Sequence, residues 1–278
     1  MSDRPPKGIV VVKIGGSTLG SNDTTLKDLV ALQRDGVKLI VVHGGGSVIS
    51  QWMEKQGTIP RFVRGLRVTD SQSLEIVAAV LTGLVNKQLV ASLIALGGKA
   101  MGLSGVDGAL LKARVADEEL GYVGEVTGVN PEVLLQSLEG GYIPMVAPVG
   151  IHRVDDSPYS GSMLNINGDT VAGELAYAIG AERLIFLTDV NGVMDGSGRV
   201  IRRLSVRSAR PLLASGVVKG GMIPKLEACL RALDRVPVTE IIDGRQPGVL
   251  MHCFRGVPTG TQIISRHDIS QLEFGSHT

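Results

Sequence analysis

Two β-branched runs, each ending in glycine, constrain this chain more than any other feature. "IVVVKIGGSTL" (residues 9–19) opens on four β-branched residues in a row, and "VKLIVVHGGGSVIS" (37–50) follows the same plan. Strands without polar alternation are buried on both faces, the condition of a parallel sheet covered by helices. Amphipathic stretches fall between the runs, with a helix expected over 24–35 and another over 47–56. The stretch "SLEIVAAVLTGLVNKQLVASLIALGG" places Val77, Val80, Leu81, Leu84, Val85, Leu89, Leu93 and Ile94 on one broad face. That is a long helix stopped by Gly97-Gly98, packing on a core or on another subunit. "GYIPMVAPVG" and "RLIFLTDV" read as later strands, "TVAGELAYAIGA" between them as a helix, and "MDGSGRV" as a hairpin or tight turn. The fold class expected is α/β, with a largely parallel sheet covered on both sides. No low-complexity linker divides the chain, so the boundary is set before "RLIFLTDV", giving lobes 1–175 and 176–278.

Composition closes off other classes. At 278 residues and 44% hydrophobic, with mean hydropathy +0.22, the chain has a sizeable core. Twenty-eight basic against twenty-seven acidic residues leave no field for non-specific nucleic-acid or membrane binding. Small molecules or other protein chains are the expected partners. Cys229 and Cys253 lack the spacing of a zinc site or disulfide framework, so a reducing compartment is expected. The N-terminal apolar run is too short for a signal-peptide core, and no apolar run is read as approaching the ~20 residues of a membrane span. A cytoplasmic protein is expected. Glycine, at 37 residues, is about twice as frequent as average, with no collagen period to absorb it. Aromatics, at 3%, are too few for base-stacking platforms.

Lys13 stands at the tip of the first apolar run, where a core should exclude it. In open parallel sheets ligands bind beyond the carboxyl ends of the strands, and Lys13 followed by Gly15-Gly16 offers a phosphate a cation and bare amides. The plain alternative is a lysine that ends the strand and points to water. His43 to Ser50, "HGGGSVIS", runs three glycines into a helix start, a ready anion site or a tight turn for close packing. Neither stretch fits the P-loop or the dinucleotide fingerprint. Two glycine-lined strand ends in one sheet still point to phosphate handling.

The blocks "VVKIGGSTL", "VVHGGGSVI", "FVRGLRVTD", "LNINGDTVAGELA", "LIFLTDVNGVMD" and "GGMIPKLEA" resemble, in order, those of the amino-acid kinase family. The likeness runs from about residue 9 to "GTQII" near 264. It implies a three-layer αβα sandwich with a mainly parallel central sheet, as in carbamate kinase, with an N-terminal substrate lobe and a C-terminal nucleotide lobe. The branch most resembled transfers the γ-phosphoryl of MgATP to the side-chain carboxylate of N-acetyl-L-glutamate, the second step of acetylated arginine biosynthesis. By the same resemblance Lys13 and Lys225 are the cations on the transferring phosphate, and Asp169 holds both in place. A cap on the helix beginning at Thr170 is the plain alternative for Asp169. Gly15, Gly16, Gly44, Gly45 and Gly46 would present amides to the phosphates, with Gly45 and Gly46 also beside the substrate. Arg67 matches the arginine that pairs with a substrate carboxylate, and Asn165 the asparagine that holds the amino-acid backbone. The alternative for Arg67 is a solvated cluster with Arg61 and Arg64. Thr188, Asp189, Val190, Asn191, Gly192 and Val193, with Val217, Val218 and Lys219, match segments lining the ATP. No protein metal cage is implied, since Mg²⁺ would be held mostly by phosphates and water.

The acceptor chemistry agrees with this inventory. A carboxylate with a pKa near ~4.3 is ionised at neutral pH, so transfer needs charge neutralisation and alignment rather than a general base. Twelve residues precede Lys13, and "FRGVPTGTQI" looks like the C-termini of arginine-insensitive relatives. A homodimer without arginine feedback, built on the long helix, is therefore expected. Ser47 stands where proline is frequent and Arg64 where asparagine is. Other readings stay open. One is a kinase acting on an amino acid carried by an acidic protein in lysine biosynthesis, which Arg61, Arg64 and Arg67 would welcome. The other is a non-catalytic nucleotide-sensing module, which has no use for two transition-state cations. A Rossmann dehydrogenase is disfavoured because no acidic residue closes a second strand at the ribose position.

Overall fold

The computed structural model describes residues 8–15, 24–153 and 160–265. The first half runs β1 (Ile9–Ile14), α1 (Thr25–Arg34), β2 (Lys38–His43), α2 (Gly46–Lys55) and the hairpin β3 (Phe62–Val63) and β4 (Leu66–Arg67). Next come α3 (Ser71–Ala78), a π-helical stretch Ala79–Val85, α4 (Asn86–Ala95), β5 (Ala100–Ser104), β6 (Leu111–Val115) and β7 (Val123–Val129). They are followed by α5 (Glu132–Glu139), β8 (Ile143–Ala147), β9 (Val149–His152), β10 (Met163–Ile166), α6 (Gly168–Ile179) and β11 (Arg183–Thr188). Last are β12 (Arg203–Ser205), α7 (Val206–Ala214), α8 (Met222–Ala232), β13 (Val238–Asp243), α9 (Val249–Phe254) and β14 (Gly260–Ile264).

Eight strands form the central sheet in the order β12-β14-β13-β11-β1-β2-β8-β5. From β13 to β5 all pairings are parallel, and β14 runs antiparallel to β13. The expected mainly parallel sheet is present, with β1 near its middle. Side chains alternate along β1: Val10, Val12 and Ile14 pack with Leu29 of α1 and Ile49 and Met53 of α2, whereas Val11 packs with Val171 and Leu175 of α6. Each such buried side chain contributes about 1.5–3 kcal/mol over exposure to water. One strand thus feeds two helical layers, which makes the three-layer αβα sandwich. The same alternation puts Lys13 on the Val11 face, toward α6.

Ile14 is in register with His43 on one side and Leu187 on the other. The segments that come after β1, β2 and β11 therefore leave the sheet at one carboxyl edge, where open α/β sheets place ligands. β6, β7, β9 and β10 close into a small barrel that stands apart from the sheet and sends Asn165 toward the same edge. The helical run Ser71–Ala95 is long and apolar enough to cross a membrane, which corrects the sequence expectation that no run approaches that length. Its Val77, Val80, Leu81, Val85, Leu89 and Leu93 are buried in the protein, as in a core helix. The residue 175/176 junction falls inside α6.

Candidate active site

Asp169 is the centre of the site. Its Oδ1 lies 2.7 Å from Lys13 Nζ and its Oδ2 3.0 Å from Lys225 Nζ, with all three side chains largely shielded from water. Lys13 comes up from β1, Lys225 comes across from α8, and Lys225 Nζ also donates to Gly221 O at 3.2 Å. The helix cap is Asn167, whose side chain accepts from the amides of Asp169 (2.8 Å) and Thr170 (3.2 Å). That answers the alternative role for Asp169: capping falls to Asn167, and the Asp169 carboxylate serves the lysines. Burial alone would raise the Asp169 pKa, but Lys13 and Lys225 outweigh it and hold the carboxyl below its usual range. For Lys13 burial dominates and lowers the pKa; Lys225 adds to the lowering, while Asp169 and Asp189 oppose it.

A cleft of about 220 Å³ adjoins the triad, lined by Gly44, Gly45, Gly46, Arg67, Asn165 and Gly168 among others. Gly168 joins the two, since a Cβ there would lie 3.5 Å from Lys13 Cε. A Cβ on Gly45 would meet Leu81 Cδ2 at 2.7 Å, so a larger residue there would have to displace that buried side chain. Not every predicted amide faces the cleft. Gly44 N–H donates to Ile14 O at 3.0 Å and Gly15 N–H to Leu187 O at 3.3 Å, both extending the sheet. The amides of Gly15 and Gly44 are thus engaged by the sheet, while Gly44 itself still lines the cleft. The amides of Gly45 and Gly46, at the start of α2, are of the kind a helix leaves without an internal partner. Gly16 lies outside the described residues.

Arg67 is buried on β4. Its Nη2 donates to Gly46 O (2.9 Å) and Ser50 Oγ (2.8 Å), its Nη1 lies 3.2 Å from Met53 Sδ, and the guanidinium sits 4.7 Å over the Phe62 ring. Burial lowers its pKa. Asn165 Nδ2 donates to Thr69 Oγ1 at 3.1 Å, and Thr69 Oγ1 donates to Arg67 O at 2.9 Å, so two predicted substrate contacts are tied together. Sequence reading missed Ser50 and Phe62. Ser50 carried a signal, four residues after Gly46 on one helical face; Phe62 faces Arg67 only through the hairpin pairing.

That hairpin turns through Arg64 (φ 51°) and Gly65 (φ 80°), the two positive φ values of a type I′ turn, where asparagine is easier than arginine. Arg64 is exposed and pairs with Asp117. The three arginines therefore do not form one solvated cluster, because Arg67 is turned inward and Arg64 outward.

The other predicted residues come after β11 or before α8. Thr188 ends β11, buried, with Oγ1 3.3 Å from Asp189 Oδ1. Asp189, Val190 and Asn191 continue from it, and Asp189 is close enough to influence Lys13. Gly192 has φ 133° and closes on Thr261, whose Oγ1 accepts from Val193 N–H at 2.8 Å. The Val193 and Val218 side chains belong to the core, while Val217 and Lys219 are exposed just before α8. Among the described residues no three His, Cys, Asp or Glu side chains cluster as a metal cage.

Two lysines bridged by an aspartate thus stand at the carboxyl edge of a parallel sheet, beside a glycine-lined cleft. The chain belongs to the amino acid kinase family, whose sequence profile matches residues 8–242. Its relatives include the acetylglutamate kinase of Dehalococcoides mccartyi, 46% identical over 259 residues, 93% of this chain and 95% of that one. A Streptococcus mutans protein of known structure is 31% identical with TM-score 0.79, covering 92% of this chain and 98% of that one. Carbamate kinase from Giardia lamblia, solved with AMP-PNP, shares the fold at 14% identity and TM-score 0.67, covering 93% of this chain and 98% of that one.

Proposed function

We propose that this enzyme transfers the γ-phosphoryl of ATP to the side-chain carboxylate of N-acetyl-L-glutamate, giving the acyl phosphate used in arginine biosynthesis. The observation that carries the reading is the Lys13–Asp169–Lys225 triad set against a cleft that holds Arg67 and Asn165. The acceptor carboxylate is already ionised, so the chemistry is charge neutralisation and in-line alignment. Lys13 and Lys225 approach from two elements and would take up charge on the equatorial oxygens. Asp169 offsets their mutual repulsion and fixes their separation. Arg67, aimed by Gly46 and Ser50, would take a carboxylate of the substrate in its planar fork. Amides at the start of α2 would face the transferring group.

Both Asp169 oxygens are engaged by lysines, which suits a Mg²⁺ carried on the phosphates and water rather than caged by protein carboxylates. Bound there, Mg²⁺ would neutralise charge between the β- and γ-phosphates. We place the nucleotide over Thr188–Val193 and Val217–Lys219 in a 176–278 lobe, with the amino-acid substrate in the 1–175 lobe. A cytoplasmic homodimer joined through the Ser71–Ala95 helix fits its partly exposed apolar face, on which Ile94 is 54% exposed. The carrier-protein alternative loses support, since Arg67 is buried and Arg64 is paired with Asp117.

Hydroxylamine trapping of the acyl phosphate tests the reading. With ATP and Mg²⁺, hydroxamate should form with N-acetyl-L-glutamate and not with glutamate, aspartate or carbamate. Product with another acceptor, or with none, would overturn the substrate.

A further inference from the structure

His43 closes β2 with its ring on the face opposite Lys13, and it is fully buried, as is Asn86. Asn86 Nδ2 lies 2.8 Å from Met145 O, 3.3 Å from Leu103 O and 3.0 Å from His43 Nε2. Two carbonyl neighbours demand a donor there; the reversed amide would set oxygen against oxygen. The Nδ2 group has two hydrogens for three neighbours, so they go to the nearer Met145 O and His43 Nε2, with Leu103 O at most sharing one, while Oδ1 accepts from Lys87 Nζ at 3.2 Å. An amide nitrogen accepts nothing, so His43 Nε2 must be the bare nitrogen. The ring proton is left on Nδ1, 3.0 Å from Gly44 O, and donates to it. Burial, with Lys13 and Lys87 nearby, brings the His43 pKa down to about 4 against the opposing Gly44 hydrogen bond, so the ring is neutral near pH 7.

The consequence reaches the cleft through one peptide unit. In a trans peptide the C=O and N–H point in opposite directions. With Gly44 O held toward the ring, the Gly45 N–H is turned the other way, toward the face that carries Lys13 and Gly168. The helix beneath is built around the same contact. The π-helical stretch Ala79–Val85 ends immediately before Asn86, and each residue it inserts rotates the later side chains by about 100°, one residue's rotation in an α-helix. Leu81, on that stretch, is the side chain against Gly45.

We infer that Asn86 and His43 are positioning residues for phosphoryl transfer: Asn86 selects the Nδ1–H form of His43, which locks the Gly44–Gly45 peptide and aims the Gly45 amide at the transferring group. This rests on the kinase reading of the cleft.

The test uses the full chain. His43→Asn keeps a donor where Nδ1 stands and drops the distal nitrogen, whereas His43→Gln keeps a distal group able to pair with Asn86 and drops the proximal donor. In the wild-type protein, nitrogen-15 NMR of labelled histidines, with the His43 ring assigned through its correlations to its own backbone amide, should show Nδ1 protonated and Nε2 bare. His43→Gln should lower kcat about tenfold to a hundredfold with little change in acceptor KM, and His43→Asn should recover most of it. A protonated Nε2 in the wild type overturns the inference, even if neither variant folds. So does a His43→Gln enzyme as fast as His43→Asn. The ring is read in resting enzyme, so its result is separate from whether the wild type makes hydroxamate.

Discussion

Gly173 and Ala228 bring α6 and α8 together nearly backbone to backbone: a Cβ on Gly173 would stand 3.0 Å from the Ala228 Cβ and 3.0 Å from its carbonyl oxygen. Asp169 lies four residues before Gly173 and Lys225 three before Ala228, so this contact sits about one turn from the Asp169–Lys225 ion pair. Gly173→Val should wedge the helices apart and cost about 1–3 kcal/mol in denaturant unfolding. It should also lower kcat more than acceptor KM rises, because Lys225 leaves its place. A variant of full kcat would show that Lys225 does not depend on the helix spacing.

Lys13 and Lys225 share one carboxylate, yet each should be indispensable, since the two reach it from different elements. Lys13→Met and Lys225→Met should each lower kcat about a hundredfold or more, the scale of losing a charge-stabilising group in the transition state. ATP affinity, measured by equilibrium titration, should change far less. An unchanged kcat in either would remove that lysine from the transfer step.

Asp169 gives the fold a pH dependence whose sign is set by its lowered pKa. Below the ordinary aspartate value of 3.8 the unfolded chain takes up a proton that the folded site refuses. The stabilisation is therefore complete above that value and is lost as pH falls through the folded pKa. Unfolding free energies of the wild type and Asp169→Asn, compared from pH 6 downward (about two units above the carboxylate range), should converge in acid. A constant difference across the series would mean that the carboxylate is not charged in the fold.

The sheet and Lys13 were legible because each rests on a local signal, whereas Asp169 and Lys225 were reached only through the family resemblance. An unbroken Val/Ile run announces a doubly buried strand, and a lysine at its tip is anomalous whatever surrounds it. Strand alternation even fixes which face Lys13 takes. The barrel was not legible: Leu111 and Ala113 are buried while Lys112 and Arg114 are exposed, but β6 pairs with β9 some forty residues on, and no local pattern names that partner. Nor could the sequence show that the Gly15 and Gly44 amides extend the sheet, since register decides this. The π-helical stretch escaped for another reason, because an apolar helical period looks alike with or without one wide turn.

Arg67 differs from the lysines in the kinetic constant it should change. Its fork is held by Gly46 O and Ser50 Oγ and stacked over Phe62, geometry that a point charge cannot reproduce. Arg67→Lys keeps the charge and loses the aim, so acceptor KM should rise about tenfold or more while kcat at saturation falls much less. Arg67→Ala should go further in the same direction, and Ser50→Ala, which loosens one of the two anchors, should show a smaller rise. Steady-state kinetics with N-acetyl-L-glutamate varied at saturating ATP separates the cases. A loss confined to kcat would move Arg67 from substrate binding to the transfer step, and an Arg67→Lys enzyme with normal KM would show that charge alone suffices.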